Sequence, residues 1–396
     1  MSGQEAGLHV LALNSGSSSL KFGLYRVGSS HTELLLSGEA ESIGESKAKI
    51  HAQDARGQEL LSETGAIADQ GQAIARVGRL LDDAKLPAPA AIGHRLVHGG
   101  PRLRQHCRID PAVLRQLEAA VVFAPLHVPA ALSVIHFAQE HFPGLPQVAC
   151  FDTAFHADLP DVARVLPLPR ALLAEGIQRY GFHGLSCESI VRQLEGDVPA
   201  RLVIAHLGNG ASVTAVKDGK SIDTSMGLTP SGGVIMGTRS GDLDPGVLVY
   251  LLREKKLDAA ALEQLVDHRS GLLGISGVAS DMRSLHQAAA SNEDAQLAIA
   301  MFSYSVRKQI AAMIAALDGV DLLVFSGGIG ENDAEVRAAI CGGLSWIGLR
   351  LDQARNRSAG NPLSAAASRC LVRVIASQED EQIARHTWAL LQQKLS

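Results

Sequence analysis

Three short segments rich in Gly, Ser and Asn predict turns that could bind phosphate. They are NSGSSS (14–19), HLGNGAS (206–212) and SGGIGEN (326–332), and each follows an apolar run that predicts a strand. Gly has no Cβ, so successive backbone N–H groups can converge on phosphate oxygens. None of the segments matches the P-loop or the dinucleotide-binding pattern, and any one alone could be an ordinary tight turn. Three of them, each after a strand, favour a ligand rich in phosphate.

Two arginines stand in Gly-containing segments. Arg95 lies in GHRLVHGG and Arg239 lies in MGTRSGDLDPG. A guanidinium group matches carboxylate and phosphate oxygens, although a surface ion pair is the alternative for either residue alone. Bringing two anions to 4 Å in a moderately polar site costs on the order of 4 kcal/mol. We therefore expect an enzyme that joins an anionic donor to an anionic acceptor to use such cations and a metal ion.

Asp152 and several histidines are further candidates. Asp152 ends the apolar run QVACF, where α/β enzymes place functional groups, although a turn or a helix cap is the alternative. His183 in YGFHGLS and His127 in APLHVPAA carry little weight alone, because a lone histidine is usually structural. His94 and His98 are four residues apart, but their segment predicts a strand and lacks the glutamate of HExxH, so we reject a zinc site.

An α/β scaffold is needed to position these residues. The runs HVLALN, QVACF, RLVIAHL and DLLVFSG are almost continuously apolar, as expected of strands covered on both faces. Strands that alternate with helices predict a layered α/β architecture. The predicted helices are Pro111–Phe123, Leu257–Val266, Ala295–Leu317 and Asp333–Leu344.

A repeat is offset by about half of the chain. VLALNSGSSSLKF (10–22) aligns with VIAHLGNGASVTA (203–215), and each reads as a strand, a short turn and a second strand. The alignment places Gly16 opposite Asn209 and Ser19 opposite Ser212. Hairpins commonly use these residue types, so chance is one explanation. The half-chain offset favours duplication of a βαβ-type domain.

Composition excludes several classes of protein. A chain of 396 residues with 46% hydrophobic and 19% charged residues predicts two globular domains. The net charge of -5 argues against a nucleic-acid partner. An odd count of five cysteines without CxxC favours a reducing, cytoplasmic location over disulfides or a zinc site. We see no secretory signal and no apolar helix long enough to span a bilayer, so we expect no membrane partner.

Seven motifs together resemble the acetokinase family. They occur in the family's order along nearly the whole chain, as LNSGSSSLKF, GHRLVHGG, CFDTAFH, YGFHG, HLGNGAS, MGTRSGDLDP and GGIGEN. This family belongs to the sugar kinase, Hsp70 and actin superfamily. The resemblance therefore implies an α/β fold of duplicated ribonuclease H-like domains, with the active site in the interdomain cleft. It implies one domain of residues 1–153 plus about 380–396, and a nucleotide-binding domain of residues 154–379.

The resemblance also implies an activity. It is the reversible, Mg²⁺-dependent, in-line transfer of phosphate from ATP to acetate, which yields ADP and acetyl phosphate, in a cytoplasmic homodimer. Mn²⁺ is an alternative ion. A propionate kinase is the close alternative, although Val97, a bulky pocket residue, favours acetate. The distant alternative is a non-enzymatic ATP-binding protein related to Hsp70 or actin. Acetate is already ionised at pH 7, so we expect Asp152 to orient Arg and metal groups rather than act as a strong base.

Roles carry over from the family by position. The catalytic set is Asp152, Arg95, Arg239 and His183. The substrate set is Arg95, Val97, Leu126, His127, Phe182 and Pro230. The nucleotide set is Lys21, His206, Leu207, Gly208, Asn209, Gly210, Asp281, Met282, Arg283, Gly328, Ile329, Gly330, Glu331 and Asn332. The metal set is Asn14 and Glu379, with Asp380 as the competing ligand.

The chain departs from the family pattern at three places. Val128 stands where the family usually has Asn, after the His of APLH. Leu185, Ser186 and Cys187 stand where the family has Thr-Ser-His. The segment SQEDEQIAR (377–385) differs from the usual Thr-Asn-Glu-Glu form, which is why two acidic residues compete for the metal role.

Overall fold

A computed structural model describes residues 7–16, 18–124 and 127–393, so the predicted substrate residue Leu126 lies outside the described residues. The chain forms two compact units. Unit 1 comprises the described parts of Met1–Ala157, Gly184–Ser189 and Gln378–Ser396, and unit 2 comprises Asp158–His183 and Ile190–Ser377. The predicted domain boundaries and the interdomain cleft stay predictions.

Unit 1 contains an eight-stranded sheet in the order β5-β4-β3-β2-β1-β6-β8-β7. The first five strands along the chain form antiparallel pairs, whereas β6 lies parallel to both β1 and β8. The strands are β1 (Leu8–Ser15), β2 (Leu20–Val27), β3 (Thr32–Glu41), β4 (Ala48–Asp54), β5 (Glu59–Gly65), β6 (Ala91–Leu96), β7 (Cys107–Arg108) and β8 (Gln147–Phe151).

Unit 2 contains a five-stranded sheet in the order β11-β10-β9-β12-β13. Its strands are β9 (Arg201–Leu207), β10 (Ala211–Lys217), β11 (Lys220–Thr224), β12 (Leu322–Ser326) and β13 (Leu371–Val374). The order β3-β2-β1-β6-β8 of unit 1 repeats it strand for strand, with the same antiparallel and parallel pairings. The predicted α/β fold class is confirmed, and the matching topologies support the duplication.

Fifteen α-helices are found in the described part of the chain. They are α1 (Gln70–Asp83), α2 (Pro111–Ala119), α3 (Val128–His141), α4 (Asp161–Arg164), α5 (Arg170–Ala174), α6 (Gly184–Gln193), α7 (Pro245–Arg253), α8 (Ala259–Glu263), α9 (Gly271–Ser276), α10 (Met282–Ala288), α11 (Glu293–Ala316), α12 (Gly327–Asn332), α13 (Ala334–Gly342), α14 (Gln353–Ser358) and α15 (Glu379–Gln392). Each predicted helix is present, with ends that shift by a few residues. No helix among residues 7–16, 18–124 and 127–393 combines the length and the apolar character needed to cross a membrane.

The prediction of a turn at 326–332 is wrong, because residues 327–332 form α12. The Glu331 carboxylate accepts the backbone N–H of Gly327 at 2.9 Å, and the Asn332 amide donates to the Gly328 carbonyl at 2.9 Å. The first of these bonds satisfies an N–H group that a helix leaves unpaired at its start. Side chains within the segment therefore stabilise a helix where glycine content alone suggests a turn.

The C-terminal helix α15 packs on the sheet of unit 1. Ile383 and Ala384 join a buried cluster with residues of β1 and β8, among them Val10 and Val148. The approach requires glycine at position 93 in β6, because a Cβ there would lie 2.3 Å from the Thr387 hydroxyl oxygen. This packing brings the acidic start of α15 to the sheet.

We predict that Gly93→Ala destabilises the protein by about 1–3 kcal/mol or more, since the added methyl group overpacks the interface between β6 and α15. Urea denaturation measures the change. The control is Gly65→Ala, where an added Cβ meets no atom within 4 Å. Equal stability of the two variants would show that α15 does not pack tightly on β6.

Candidate active site

Three polar residues of unit 1 lie at the ends of neighbouring parallel strands. Asn14 is near the end of β1, Arg95 is near the end of β6, and Asp152 directly follows β8. Because β1, β6 and β8 run parallel side by side, their carboxyl ends meet at one edge of the sheet. The structure thus brings together residues that are far apart in the sequence.

Arg95 and Asp152 form a buried ion pair. Nε and Nη2 of Arg95 both donate to Oδ2 of Asp152, at 2.9 and 2.6 Å, and Nη1 donates to the Asn14 amide oxygen at 3.2 Å. The Asp152 side chain is 1% exposed and the Arg95 side chain is 19% exposed. Oδ1 of Asp152 is buried and has no hydrogen-bond partner among the described residues. One oxygen of this carboxylate is saturated and the other can accept a further bond.

Burial and neighbouring charges shift the pKa values of both groups of the ion pair. Burial raises the pKa of Asp152 to about 6, since the opposing effect of Arg95 is smaller and the charge of Glu379 adds to the rise. Burial alone would lower the pKa of Arg95, but the charges of Asp152 and Glu379 outweigh it and raise that pKa above its ordinary value. Arg95 therefore stays a cation.

The acidic residues Glu379 and Asp380 begin α15 beside Asn14. The Asn14 amide nitrogen donates to Glu379 at 3.3 Å and to Asp380 at 3.0 Å. Lys21 pairs with Asn14 across β1 and β2. Burial raises the pKa of Asp380 to about 6, with the Asn14 hydrogen bond opposing and the charge of Glu379 adding to the rise. The acid pair is therefore held close together at an electrostatic cost.

The chemistry of this acid pair fits a divalent cation. Carboxylate oxygens are the donors that Mg²⁺ prefers, and a cation would relieve the repulsion between Glu379 and Asp380. Asn14 directs its amide nitrogen to the acids and its oxygen to Arg95. Its amide would have to turn over for its oxygen to join the acids as a ligand. The metal roles of Asn14 and Glu379, and the choice between Glu379 and Asp380, stay predictions.

At two of the three departures from the family pattern the residues are buried in unit 1. Val128 starts α3 and packs with Leu96 and Phe151, the neighbours of Arg95 and Asp152. Leu185 packs in the cluster beneath α15, and Cys187 is buried. These departures replace polar side chains by apolar packing. Two predicted substrate residues lie nearby in sequence, Val97 as a buried residue after β6 and His127 as the residue that precedes α3.

His183 has an unusual backbone in unit 2. Its φ of 66° lies in the left-handed region, which non-glycine residues adopt mainly at constrained sites. The Ser212 hydroxyl donates to the Phe182 carbonyl at 3.3 Å and lies 2.9 Å from His183 Nδ1. A hydroxyl group has one proton, so Nδ1 carries the proton of that contact and donates to Ser212. No role is assigned to Ser212 from the sequence; the hairpin motif HLGNGAS, whose two strands place Ser212 opposite His206, is the signal that could have identified it.

Three predicted residues, His206, Gly210 and Arg239, lie close to His183. Its ring stacks on the His206 ring with a centroid distance of 4.4 Å. A Cβ on Gly210 would lie 3.1 Å from His183 Nε2 and 3.4 Å from Arg239 Nη1, so both nitrogens face this glycine. Arg239 also donates to the Pro230 carbonyl at 3.0 Å. Cationic and imidazole nitrogens therefore surround the Gly-containing turn that joins β9 and β10.

Several other predicted nucleotide residues have structural partners within unit 2. Ser326 pairs with His206 across β12 and β9, so α12 starts beside the turn at 208–210. Asp281 caps α10 by accepting the Ser284 N–H at 2.9 Å. Met282 is buried, and Glu331 binds the Gly327 backbone. Ligand roles for this set stay predictions.

Comparisons with known proteins agree on one family. A model of the Acetokinase family matches residues 9–385. The chain is 43% identical to an acetate kinase of Methylocella silvestris, in an alignment that covers 97% of this chain and 98% of the relative. A solved propionate kinase of Francisella tularensis has a TM-score of 0.90 at 37% identity, covering 97% of this chain and 100% of its own. A solved acetate kinase of Porphyromonas gingivalis has a TM-score of 0.85 at 36% identity, with the same two coverages.

We predict that Asp380→Asn stabilises the protein more at about pH 7.5 than at about pH 4.5, in the absence of divalent cations. A carboxyl group whose pKa is raised by folding costs stability as the pH rises from its unfolded value of 3.8 to its folded value of about 6. Asn removes that cost, which amounts to at most about 3 kcal/mol. Mg²⁺ should then stabilise the unsubstituted protein more than the variant.

Urea denaturation at both pH values, with and without Mg²⁺, measures these differences. The exposed Asp82→Asn is the matched control for the loss of one carboxylate. A pH profile of Asp380→Asn that parallels that of the unsubstituted protein would show that Asp380 does not carry the buried charge.

Proposed function

This chain belongs to the acetokinase family, and from that premise we propose that it transfers the γ-phosphoryl group of ATP to acetate, reversibly, forming acetyl phosphate and ADP. The observation that carries the proposal is the buried pair of Arg95 and Asp152 at the ends of parallel strands. A fixed guanidinium group at this edge of a sheet is suited to bind a small carboxylate.

Arg95 is proposed to hold the acetate carboxylate or the acyl phosphate. Its hydrogen bonds to Asp152 and Asn14 fix the plane of the guanidinium, while 19% of the side chain stays exposed for a ligand. Val97, two residues further along, would supply part of the apolar contact for the methyl group. Asp152 orients Arg95 and does not need to take a proton.

The proposed reaction needs no proton transfer. An ionised acetate oxygen attacks the γ-phosphorus in line, the new P–O bond forms as the bond to the bridging oxygen breaks, and ADP leaves with that electron pair. Acetate is ionised at pH 7, so a general base is unnecessary. We propose that Glu379 and Asp380 hold Mg²⁺, with Mn²⁺ as an alternative, and the ion would supply charge neutralisation at the phosphates.

Unit 2 is proposed to act on the nucleotide. The turn at 208–210 and the start of α12 offer backbone N–H groups to phosphates. His183 and Arg239, whose nitrogens both face Gly210, would stabilise the charge of the transferring phosphoryl group. This division agrees with the residue sets that the family resemblance implies.

A propionate kinase remains the alternative, because the solved Francisella tularensis relative carries that name. One methylene group changes the relative rates of two substrates by only about 1–3 kcal/mol. Buried Val97 favours the smaller acid.

We predict that the purified protein forms acyl phosphate from ATP, Mg²⁺ and acetate, with a higher kcat/KM for acetate than for propionate. A hydroxamate assay measures both products. A higher value for propionate would support the alternative. Hydrolysis of ATP without acyl phosphate from any short acid would instead support the distant reading as an ATP-binding relative of Hsp70 or actin.

Asp152→Asn ties that activity to this site. Because the amide cannot pair with the Arg95 charge, we expect lower turnover from a protein that is still folded, whereas Asp82→Asn retains full turnover. Full activity of Asp152→Asn would remove this residue from the proposed mechanism.

A cytoplasmic homodimer is also proposed. None of the five cysteines, all of which lie among the described residues, forms a disulfide, which fits a reducing compartment. Helix α7 has the apolar sequence PGVLVYLLR, yet none of its residues is buried within the chain. Helix α11 likewise exposes Leu297, Met301 and Tyr304. Apolar surface of this kind is typical of an interface between subunits.

We predict that the protein sediments as a dimer and that Tyr250→Asp on α7 shifts it to the monomer, because a buried unpaired charge opposes association. Analytical ultracentrifugation measures the state. Val162→Asp, at a residue that is 94% exposed, is the control and should remain dimeric. A dimer that withstands Tyr250→Asp would exclude α7 from the interface.

A further inference from the structure

Three ionisable side chains cluster beside the strand end that carries Asp152. We call His106, Glu188 and His386 the His–Glu–His cluster. Nε2 of His386 lies 2.6 Å from Oε2 of Glu188, and Nε2 of His106 lies 3.5 Å from Oε1. The two imidazole rings are 3.9 Å apart between centroids. The ligand-type atoms of all three lie within 4.8 Å of one another, a spacing that a transition metal could bridge.

The hydrogen bonding of His106 decides against a metal. The backbone N–H of Phe151 donates to Nδ1 of His106 at 3.0 Å, so Nδ1 must present its lone pair. In a neutral imidazole the proton is then on Nε2, the atom that faces Glu188. A metal bound at Nε2 would require both ring nitrogens to be deprotonated. The cluster is therefore a carboxylate between two imidazole N–H groups.

The charges agree with this arrangement. Burial alone would raise the pKa of Glu188, but the two histidines outweigh it and lower that pKa to about 2. Burial lowers the pKa of His106, which favours its neutral form. Glu188 thus stays ionised, with His386 Nε2 at hydrogen-bond distance and His106 Nε2 in a longer contact of 3.5 Å. A buried carboxylate is stable only while the groups that compensate its charge remain in place.

The cluster holds the backbone next to Asp152. His106 accepts from Phe151, the residue just before Asp152, and the N–H of Gly184 donates to the Asp152 carbonyl at 2.8 Å. Gly184 and Glu188 belong to the same helix, α6. One turn of α6 therefore carries both Gly184, which contacts Asp152, and Glu188, which contacts the His106 ring that binds Phe151. Asp152 is thus fixed through the backbone as well as through its ion pair with Arg95.

The cluster also holds the helix that carries the acid pair. His386 lies on α15, about two turns after Glu379 and Asp380. Gln382, one turn before His386, places its amide 3.1 Å from the same ring nitrogen. At the start of this helix the Gln378 N–H donates to the hydroxyl of Ser189, the residue after Glu188, at 3.1 Å. The contact of His386 with Glu188 and that of Gln378 with Ser189 therefore join α15 to the segment that contains Glu188.

We propose that Glu188 is a positioning residue, which through His106 and His386 sets the acid pair of α15 at its working distance from Asp152. The proposal rests on the proposed function for its catalytic consequence, while its effect on cation binding can be measured without turnover. Groups that orient metal-binding side chains typically change metal affinity or activity by about 10–100-fold when they are removed.

The test compares Glu188→Ala with the unsubstituted protein. Without substrates, we expect the Mg²⁺ concentration that gives half of the maximal thermal stabilisation to rise about tenfold or more. With substrates, kcat should fall by a similar factor and the Mg²⁺ requirement should rise in parallel. Glu188→Gln, whose amide oxygen can still accept from His386 Nε2–H, should recover most of the loss. Exposed Glu118→Ala is the control and should change neither quantity.

Three outcomes would overturn the proposal. One is an unchanged Mg²⁺ dependence in Glu188→Ala, even if kcat falls, because a merely structural role lowers only the amount of active protein. Another is the failure of Glu188→Gln to recover any of the loss. The third is equilibrium dialysis in which one Zn²⁺ binds to the unsubstituted protein and not to Glu188→Ala, which would make the cluster a metal centre.

If Glu188→Ala does not fold, His106→Asn supports the same Mg²⁺ comparison, since Asn keeps an acceptor for Phe151 but not the contact with Glu188.

A protein that shows the Mg²⁺ effect but forms no acyl phosphate would contradict the proposed function and leave the positioning role intact. If the protein forms acyl phosphate but Glu188→Ala leaves the Mg²⁺ dependence unchanged, the proposed function stands and the positioning role is contradicted.

Discussion

The ion pair between Arg95 and Asp152 is the interaction on which the candidate site depends. Asp152 is 1% exposed, and a carboxylate at that depth needs a cation to remain charged. Two N–H groups of Arg95 converge on one of its oxygens, and a third reaches Asn14. Asn14 in turn donates to the acid pair of α15. Each polar group of this edge is therefore placed, directly or through one neighbour, relative to a single guanidinium.

Negative charge is crowded around that guanidinium. Burial and the charge of Glu379 raise the pKa values of Asp152 and Asp380, which means that the folded protein holds these charges at a cost. The positive charges of Lys21 and Arg95 offset part of this cost for Asp380. Such a site gains stability from an added cation, and it presents a fixed positive group to an added anion. Both properties suit phosphoryl transfer to a carboxylate, where charge neutralisation matters more than proton transfer.

The two sheets use one topology for different chemistry. In unit 1 the strand ends carry an amide, a guanidinium and a carboxylate, which suits a small anion and a cation. In unit 2 the corresponding β9–β10 turn carries glycine, and His183 and Arg239 face it. Backbone N–H groups there can approach phosphate because no side chain intervenes. Duplication thus supplied two equivalent edges, and the residues placed at each edge determine what it can bind.

The sequence by itself determined the apolar strands β1, β8, β9 and β12, four of the fifteen helices found in the described residues, the repeat and the family, because these depend on local apolar patterns and on short motifs. It also identified Arg95 and Asp152, which stand at the ends of readable elements. Only the tertiary structure decided that residues 327–332 are helical, that Asn14 turns its amide nitrogen rather than its oxygen toward Glu379 and Asp380, and that His106, Glu188 and His386 meet. The physical reason is that hydrogen bonds and burial join side chains through space, and spacing along a chain carries no record of which distant groups the packing of β-strands and α15 will bring together.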